Sequence, residues 1–373
     1  MSTCLKGMTV MQSLNEKKRD IFEVVGEKGL FSVEKQSIKL SERDLSGTGQ
    51  IPVFSSQTSN NGVMGFTNKV ADFFVKDTPA LIFGDHTKSM DISNHSFCAA
   101  DNVKVLRPHN IPFDALFYVS CAWKKRIPDM GYARHWRKAK KVGIELPVTD
   151  SGEPDYAYMA EYVQQKRDAM LAKYRAYVKA RIAELGEVAE IPALDEKEWK
   201  PFSIVDLFSS IIPGKGKGLN HLKKVCADGV NYIGATNRNN GVLCYVEEDT
   251  YSRPMILEGN CIGFIKNGDG SAGFAIYKAE QFISTSDVLY GYADWLNKFT
   301  GLFFVVAQDM IEHKYSHGYK RNKEHLAGDK VMLPVTDSSE PDYEYMEQYA
   351  KNMMLRKYRQ YLAYLDRQKQ WQE

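Results

Sequence analysis

The sequence contains an internal repeat, which constrains the fold more than any other feature. The segment LPVTDSGEPDYAYM at residues 146–159 recurs as LPVTDSSEPDYEYM at residues 333–346. Upstream, SNNGVMGF at 59–66 corresponds to RNNGVLCY at 238–245, and GYAR at 131–134 corresponds to GYKR at 318–321. The motifs keep the same order in both halves. A fixed order of motifs at a long, nearly constant separation indicates a duplicated folding unit with a few loop insertions.

The first part of each repeat has the composition of strands and turns. Residues 20–148 and 200–335 carry short alternating runs such as VFSSQT, NYIGAT and GFAIY, and a period of two is typical of half-buried strands. Asn61-Gly62 and Asn240-Gly241 stand between apolar runs and predict tight hairpin turns, because Asn-Gly adopts positive φ at low cost. We expect a β-rich α+β domain from each copy.

The second part of each repeat has the period of an amphipathic helix. A capping residue, Asp150 or Ser151 and then Asp337 or Ser338, precedes a proline, Pro154 or Pro341, at a first-turn position. Apolar residues then recur at steps of three and four, which predicts helices over residues 154–185 and 341–370, the first closed by Gly186. Matching apolar seams predict that these two long helices pack antiparallel as a coiled coil.

These patterns predict four segments and a pseudo-twofold internal repeat. The expected boundaries are a β-rich domain over residues 1–149, a helical segment over 150–195, a second β-rich domain over 196–336 and a C-terminal helical segment over 337–373. A helix from 154 to 185 would be about 48 Å long, which is about 14 base pairs of B-DNA. A helix of this length could set a fixed distance between two domains.

The composition narrows the function classes. The chain has 373 residues, a formal net charge of +2 and 43% hydrophobic residues, values of a soluble globular protein with room for two cores. We find no apolar run of membrane-spanning length and no export signal, so we expect a cytoplasmic location. The six cysteines are scattered without a C-x-x-C pair, and no metal-ligand, phosphate-loop, methyl-transfer or nuclease motif is complete. We therefore expect no catalytic residue and no metal in this chain.

The motifs NNGV, GYKR, LPV and PDYxYM, their duplication and the long helix after each copy resemble the specificity subunits of type I restriction–modification systems and of the related type IIB systems. The resemblance covers nearly the whole chain. It implies two target recognition domains that each read one half of a split DNA site, joined by helices that fix the spacing and dock methyltransferase subunits. It also implies that S-adenosylmethionine, ATP and Mg belong to partner subunits. It leaves open whether the methyltransferase is separate or fused to a nuclease.

Two stretches in each copy have the residue types that contact DNA. Arg, Lys, Asn and Gln are the usual partners of base edges, and basic groups neutralise phosphates. The first stretch precedes each NNGV motif, where a plain hairpin loop is an equal explanation. The second surrounds each GY motif, where a solvated basic face is the alternative, although aromatic residues are interleaved. The candidate DNA-binding residues are Gln57, Thr58, Asn60, Lys124, Lys125, Tyr132, Arg134, Arg137, Lys138, Thr236, Asn237, Arg238, Asn239, Lys314, Tyr315, Tyr319, Lys320 and Arg321.

The helices are the candidate surface for partner proteins. Two methyltransferase subunits, with a restriction subunit as a further partner, are expected to contact Tyr156, Met159, Tyr174, Tyr343, Met346 and Tyr358. Two readings from other classes remain open. One is a coiled-coil interaction protein without DNA specificity, and the other is an enzyme with a diverged active site in one domain. A mobility shift on random and selected DNA would separate the three.

Overall fold

The structure is a computed structural model that describes residues 16–74, 79–131, 133–226, 228–268, 270–316 and 318–370. It divides into two compact units, residues 1–174 (unit 1) and 175–373 (unit 2), and the boundary lies inside a long helix. Both units mix helices with sheets, which confirms the mixed fold class in its coarse form. In the described part of the chain, no helix is long and apolar enough to cross a membrane. The four predicted segment boundaries stay predictions.

Unit 1 consists of short strands followed by helices. Its elements in chain order are β1 (Arg19–Phe22), β2 (Phe31–Glu34), β3 (Ile51–Phe54), β4 (Val63–Thr67), β5 (Ala80–Gly84), β6 (Met90–Ser93), β7 (Cys98–Ala99), β8 (Val103–Pro108), α1 (Phe113–Arg126), α2 (Trp136–Ala139), β9 (Ile144–Pro147) and α3 (Tyr156–Leu185). An antiparallel sheet has the order β2-β8-β5-β6, a second has the order β4-β3-β7, and β1 pairs with β9.

Strand β5 explains how unit 1 is layered. Leu81 and Phe83 point into a core with Trp123 of α1, whereas Ile82 points into a second core with Phe54 of β3. Alternate side chains of a strand point to opposite faces, so a central strand that is covered on both faces is apolar at every position. The sequence ALIFG of β5 is buried throughout. The four-stranded sheet therefore lies between the helical layer and the smaller sheet.

Unit 2 repeats this order of elements. They are β10 (Trp199–Ser203), β11 (Ser210–Pro213), β12 (Lys224–Val225), β13 (Val230–Ile233), β14 (Val242–Val246), β15 (Cys261–Ile265), β16 (Ala275–Lys278), β17 (Phe282–Ser284), β18 (Val288–Tyr292), α4 (Lys298–Asp309), α5 (Lys323–Ala327), β19 (Lys330–Pro334) and α6 (Tyr343–Gln370). The sheets have the orders β11-β18-β15-β16, β12-β14-β13-β17 and β10-β19. Strand β15 corresponds to β5 and is likewise buried along its whole length.

The two long helices begin in the same way. Asp155 Oδ1 accepts a hydrogen bond from Tyr158 N at 3.0 Å, and Asp342 Oδ1 accepts one from Tyr345 N at 2.9 Å. The aspartate after each proline is therefore the capping residue, and the predicted caps at Asp150 or Ser151 and at Asp337 or Ser338 are wrong. Each proline instead pairs with the strand before the helix, as in the bridge from Val148 to Pro154.

Within unit 2, the end of α3 contacts α6. Arg175 Nη1 lies 2.8 Å from Asp366 Oδ1, and the rings of Tyr177 and Tyr358 are 6.4 Å apart. Gly186 has a φ of 78° and ends α3, as predicted. The segment after it runs along α6, where Asn352 exchanges two hydrogen bonds with the backbone of Ala189.

The NNG motifs form hairpins whose connections are longer than predicted. Strands β3 and β4 pair antiparallel with Phe54 opposite Val63, so residues 55–62 form the connection instead of a two-residue turn. Asn60 and Asn61 both have a φ of 49° and Gly62 has a φ of 77°. Asn239, Asn240 and Gly241 take the same conformation in unit 2. The motif therefore encodes a left-handed turn at the end of a polar loop.

Candidate nucleic-acid interface

In unit 1, the polar loop 55–62 contacts the turn between β5 and β6. Gly84 N donates to Ser89 O at 3.0 Å, so residues 85–88 form this turn, which we name the hairpin tip of unit 1. Thr87 Oγ1 donates to Ser56 O at 2.8 Å, and His86 N donates to Ser56 Oγ at 3.0 Å. These bonds hold the tip against the loop that precedes the NNG turn.

The same hairpin tip also holds the segment around the GY motif. His135 N donates to Asp85 O at 2.8 Å, and Trp136 N donates to Asp85 Oδ1 at 2.6 Å. Lys88 Nζ lies 3.5 Å from Asp129 Oδ2. Both stretches that were predicted to contact DNA thus meet at one turn. We call residues 55–62, 85–88, 127–131 and 133–136 together the loop edge of unit 1.

Unit 2 brings the equivalent segments together through different residues. Gly273 N donates to Ile265 O at 3.0 Å, so the chain between these residues connects β15 to β16. Its described residues, 266–268 and 270–273, form the hairpin tip of unit 2. Ser271 Oγ lies 3.0 Å from Asn237 Oδ1, and Arg321 N donates to Lys266 O at 3.0 Å. The loop edge of unit 2 comprises the described residues of three segments, 234–241, 266–268 with 270–273, and 314–316 with 318–321.

The side chains of the NNG turns bind their own backbone. Asn60 Nδ2 donates to Val63 O at 2.8 Å, and Asn239 Nδ2 donates to Val242 O at 3.0 Å. Gln57 Nε2 also donates to Val63 O, at 2.7 Å. Side-chain amides that satisfy the local backbone stabilise the turn. The geometry therefore accounts for Gln57, Asn60 and Asn239 as residues that shape the loop.

The remaining candidate residues of unit 1 are mostly exposed. Arg134 Nη2 lies 3.4 Å from Asn102 Oδ1 at the loop edge. Thr58, Lys124, Arg137 and Lys138 are exposed as well. Tyr132 lies outside the described residues. Lys125 lines a groove between α1 and α3 instead.

In unit 2, Thr236 and Asn237 are half-buried, whereas Arg238, Lys314, Tyr319 and Lys320 are exposed. Tyr319 is 50% exposed and stacks on His325 with ring centroids 4.4 Å apart. Its ring therefore presents one face beside exposed basic residues, an arrangement that suits a sugar or base.

Two candidates of unit 2, Arg321 and Tyr315, are buried, and their predicted contact with DNA is wrong. Arg321 is 0% exposed: its Nε donates to Asp329 Oδ2 at 2.8 Å and its Nη1 donates to Gln308 Oε1 at 2.6 Å. Tyr315 donates to the same Asp329 oxygen at 2.8 Å. Burial lowers the pKa of Arg321, while the adjacent Asp329 carboxylate opposes that shift. Arg321 thus anchors the GY segment from inside the fold.

The residue beneath the NNG turn differs between the two units. In unit 1 it is Asp91 of β6, because a Cβ at Gly62 would lie 2.5 Å from its Oδ2. In unit 2 the equivalent neighbour of Gly241 is Ile276 of β16. Burial raises the pKa of Asp91, and the positive charge of Lys124 partly offsets this. The common turn therefore rests on a polar support in one unit and an apolar support in the other.

A groove in unit 1 lies between α1 and the first half of α3. It has a volume of about 730 Å³ and an apolar floor that includes Phe113, Phe117 and Met170. Its rim carries more basic than acidic side chains, among them Arg19, Lys125, Lys166 and Arg167 against Asp114 and Glu145.

The helical candidates for partner contact are only partly accessible. Met159 and Met346 are completely buried in the cores of their own units, so their predicted contact with a partner is wrong. Tyr343 stacks on Trp295 at 4.7 Å, and Tyr358 contacts Tyr177. Tyr156 and Tyr174 are half-buried. Met170, Tyr361 and Tyr364, which sequence reasoning did not select, are exposed apolar residues of the two helices.

Sequence reasoning also missed the two hairpin tips. The run DHTK at 85–88 contains no motif, and the Gly-rich run at 268–273 was interpreted only as a turn. One signal was available. Both segments lie at the same place in the repeat, between the NNG and GY motifs, and they differ completely in sequence.

No protein-family model matches the chain. It is 25% identical over 283 residues to the specificity subunit S.BcgI of a type II restriction enzyme from Heyndrickxia coagulans. The aligned region covers 74% of this chain and 77% of that protein. Among solved structures, it is similar to a type I restriction–modification S subunit from M. genitalium, at a TM-score of 0.48 and 14% identity over 95% of both chains. The HsdS subunit from Thermoanaerobacter tengcongensis overlaps at a TM-score of 0.30 and 14% identity, over 77% of this chain and 75% of that chain. These structural overlaps are too low to support a conclusion, and the sequence relative confirms the predicted resemblance to specificity subunits.

Proposed function

We propose that this chain is the non-catalytic DNA sequence-specificity subunit of a restriction–modification complex and reads a bipartite DNA site, one half-site with each unit. The observation that carries the proposal is the duplicated loop edge, in a chain whose relative is a specificity subunit. In each unit a polar loop, a hairpin tip and a GY segment meet at one end of a buried sheet. Loops that a rigid sheet holds in place are suited to reading a surface.

The basic and the polar side chains of the loop edges would contact different parts of the DNA. Exposed lysines and arginines such as Arg137, Lys138 and Lys320 can neutralise phosphates without regard to sequence. Polar groups on the loops are then held at the depth of the base edges, where donor and acceptor patterns differ between base pairs. The two loop edges share the NNG and GY motifs but differ in their hairpin tips, as an asymmetric site requires.

We further propose that α3 and α6 form an antiparallel coiled coil that sets the distance between half-sites, in a pseudo-twofold arrangement. Residue numbers rise along α3 while those of their partners fall along α6, as in the contacts of Arg175 with Asp366 and of Tyr177 with Tyr358. The rise of 1.5 Å per residue gives a direct test. Inserting one heptad into both helices should lengthen the unread spacer by about three base pairs or abolish recognition.

The same proposal assigns the partners. Two methyltransferase subunits would dock on the exposed apolar surface of the helices, and the groove between α1 and α3, with its basic rim, fits an acidic amphipathic helix of such a subunit. A restriction subunit is a further partner. S-adenosylmethionine, ATP and Mg would be bound by the partners, in the cytoplasm where the genomic DNA lies. The chain alone should neither methylate nor cleave DNA.

A domain exchange tests the proposed function. Residues 20–148 are replaced by the matching segment of a homologous specificity subunit, and the methylated motif is read by sequencing DNA from cells that express the complex. One half-site should change while the other half-site and the spacer persist. The matched control exchanges residues 200–335, which should change the opposite half-site.

Three results would contradict the proposal. Both half-sites could change together after either exchange, which would show that the units do not read independently. The wild-type complex could show no sequence preference, which would favour an interaction protein that uses only its helices. Turnover by the isolated chain would favour an enzyme with a diverged active site.

A further inference from the structure

We infer that the hairpin tips, residues 85–88 in unit 1 and 266–268 with 270–273 in unit 2, carry side chains that distinguish base pairs, whereas the NNG turns and GY segments mainly hold these tips in place. The inference rests on the proposed function and names residues for the reading step. It predicts that Lys88 reads one half-site and that Asn267 reads the other.

The first argument is position. Each tip lies between the two stretches that the sequence marks as DNA-facing and is hydrogen-bonded to both. In unit 1, Thr87 holds the polar loop and Asp85 holds the GY segment. In unit 2, Ser271 contacts Asn237 while Lys266 O accepts from Arg321 N. A ligand that spans the polar loop and the GY segment must therefore pass over the tip.

The second argument is that the hairpin tips differ between the two units, whereas the NNG turns do not. The NNG turns have the same sequence and the same φ angles in both units, so they cannot tell two half-sites apart. The tips share neither length nor sequence: DHTK has four residues, and the connection in unit 2, from Lys266 to Gly273, has eight. Two units that recognise different DNA sequences need different side chains on the same backbone arrangement. The hairpin tips differ between the units in both length and sequence.

The third argument is the state of the side chains. Two of the other candidates in unit 2 are already in use, because Arg321 is completely buried and Asn239 binds Val242 O. Asn267 is half-exposed, and within the part of the chain that the structure describes its amide makes no hydrogen bond. A free carboxamide pairs with the N6 and N7 edge of adenine through two hydrogen bonds. Asn267 is therefore the best-placed base reader of unit 2.

Lys88 plays the matching part in unit 1. Its ammonium group lies 3.5 Å from both Ile127 O and Asp129 Oδ2, the outer limit of a hydrogen bond, so both contacts are weak. Its backbone has a φ of 46°, in the left-handed region that residues with a side chain rarely adopt. Such strain is found where the surroundings hold a residue for a purpose. A lysine so placed can donate to guanine O6 and N7.

The experiment compares base preferences of single variants. The full chain with its methyltransferase selects bound duplexes from a random pool, and the selected site is then changed one base pair at a time in a competition assay. Asn267→Ala should lower discrimination about tenfold at one base pair of one half-site. Lys88→Ala should do so at one base pair of the other half-site. Asn231→Ala is the matched control, because Asn231 lies on β13 and bonds to Glu280 on the protein surface.

Each outcome of the competition assay either supports the inference or contradicts it. A loss of preference that is confined to one base pair, with affinity for random duplexes unchanged, supports the inference. Weakening by the same factor on every duplex would overturn it, since that is the effect of a lost phosphate contact. Unchanged preferences in both variants, with a bipartite site still selected by the wild type, would overturn the assignment of the tips but not the proposed function. If the wild type selects no sequence at all, both fail.

A tip exchange provides a second readout. Replacing residues 266–273 by DHTK should shift the preference of the second half-site at the affected base pairs, without changing the first half-site. Thermal unfolding of the exchanged chain, compared with the wild type, shows whether unit 2 still folds. A folded exchange variant with the original second half-site would overturn the inference.

Discussion

Arg321 donates from Nε to Asp329 Oδ2 at 2.8 Å, and both side chains are buried, with exposed fractions of 0% and 1%. Arg321 belongs to the GY motif, whose basic residues are otherwise exposed. This ion pair holds the GY segment against Asp329, which immediately precedes β19. Asp329 also accepts hydrogen bonds from Tyr315 and Lys314, so one buried carboxylate organises this side of the loop edge.

Arg321→Ala should therefore destabilise unit 2 instead of relaxing one base preference. Breaking a buried ion pair costs about 3–5 kcal/mol. We expect the lower end of that range here, because Lys314 and Tyr315 still donate to Asp329 in the variant. Urea unfolding followed by circular dichroism measures this loss. Lys320→Ala, at the exposed neighbouring position, is the control and should change stability by less than about 0.5 kcal/mol. Equal stability of the two variants would show that the buried network is unimportant.

Asp342→Asn should lower stability in a pH-dependent way. Burial tends to raise the pKa of Asp342, but the hydrogen bond from Lys197 and that from Tyr345 N lower it below its ordinary value. A carboxyl group with a depressed pKa stabilises the fold above its unfolded pKa of about 3.9, and this contribution disappears as the pH falls through the folded pKa. Asparagine keeps the helix cap but loses the charge.

We expect a difference of about 1 kcal/mol between the wild type and Asp342→Asn at pH 7, and a difference near zero well below pH 4. Asp155→Asn should behave alike in unit 1, because Lys17 lies 2.7 Å from Asp155 Oδ2. Denaturant midpoints between pH 7 and pH 2 check both variants, because the folded pKa of each aspartate lies below its ordinary value. A difference that stays constant over this range would mean that the carboxylate charge is not the cause.

The exposed basic residues of α2 should bind phosphates. Changing Arg137 and Lys138 together to alanine should weaken binding to all duplexes by a similar factor and reduce the salt dependence by about 0.9 per lost phosphate contact. Filter binding at several salt concentrations gives the slope. Lys28→Ala is the control, because Lys28 lies before β2, at the end of the sheet away from the hairpin tip. An unchanged slope in the double variant would place the phosphates elsewhere.

The groove of unit 1 should be needed for the methyltransferase. Met170 is 71% exposed, so Met170→Glu should leave unit 1 folded while it puts a negative charge where we expect an acidic partner helix. Co-purification of the partner from cells that express both proteins should fall strongly. Tyr251→Glu is the control at an exposed residue of a turn in unit 2. Full recovery of the partner with Met170→Glu would show that docking uses another surface.

The sequence by itself displays the repeated motifs, and it determined the mixed strand and helix content and the extents of the two long helices. Such features rest on local periodicity and on repeated motifs, which a single sequence displays directly. Helices predicted over 154–185 and 341–370 are observed over Tyr156–Leu185 and Tyr343–Gln370. The resemblance to specificity subunits followed from the same motifs.

Only the tertiary structure decided which polar residues face solvent. Arg134 and Arg321 occupy equivalent positions in the GY motifs, yet the first is exposed and the second is buried, because only unit 2 places Asp329 and Gln308 around that side chain. The sequence pattern also could not show that the turns at 85–88 and 266–273 join the two polar stretches. Hydrogen bonds such as that from Thr87 to Ser56 link residues 31 positions apart. Pairings over that distance depend on how the strands stack, and no local pattern records them.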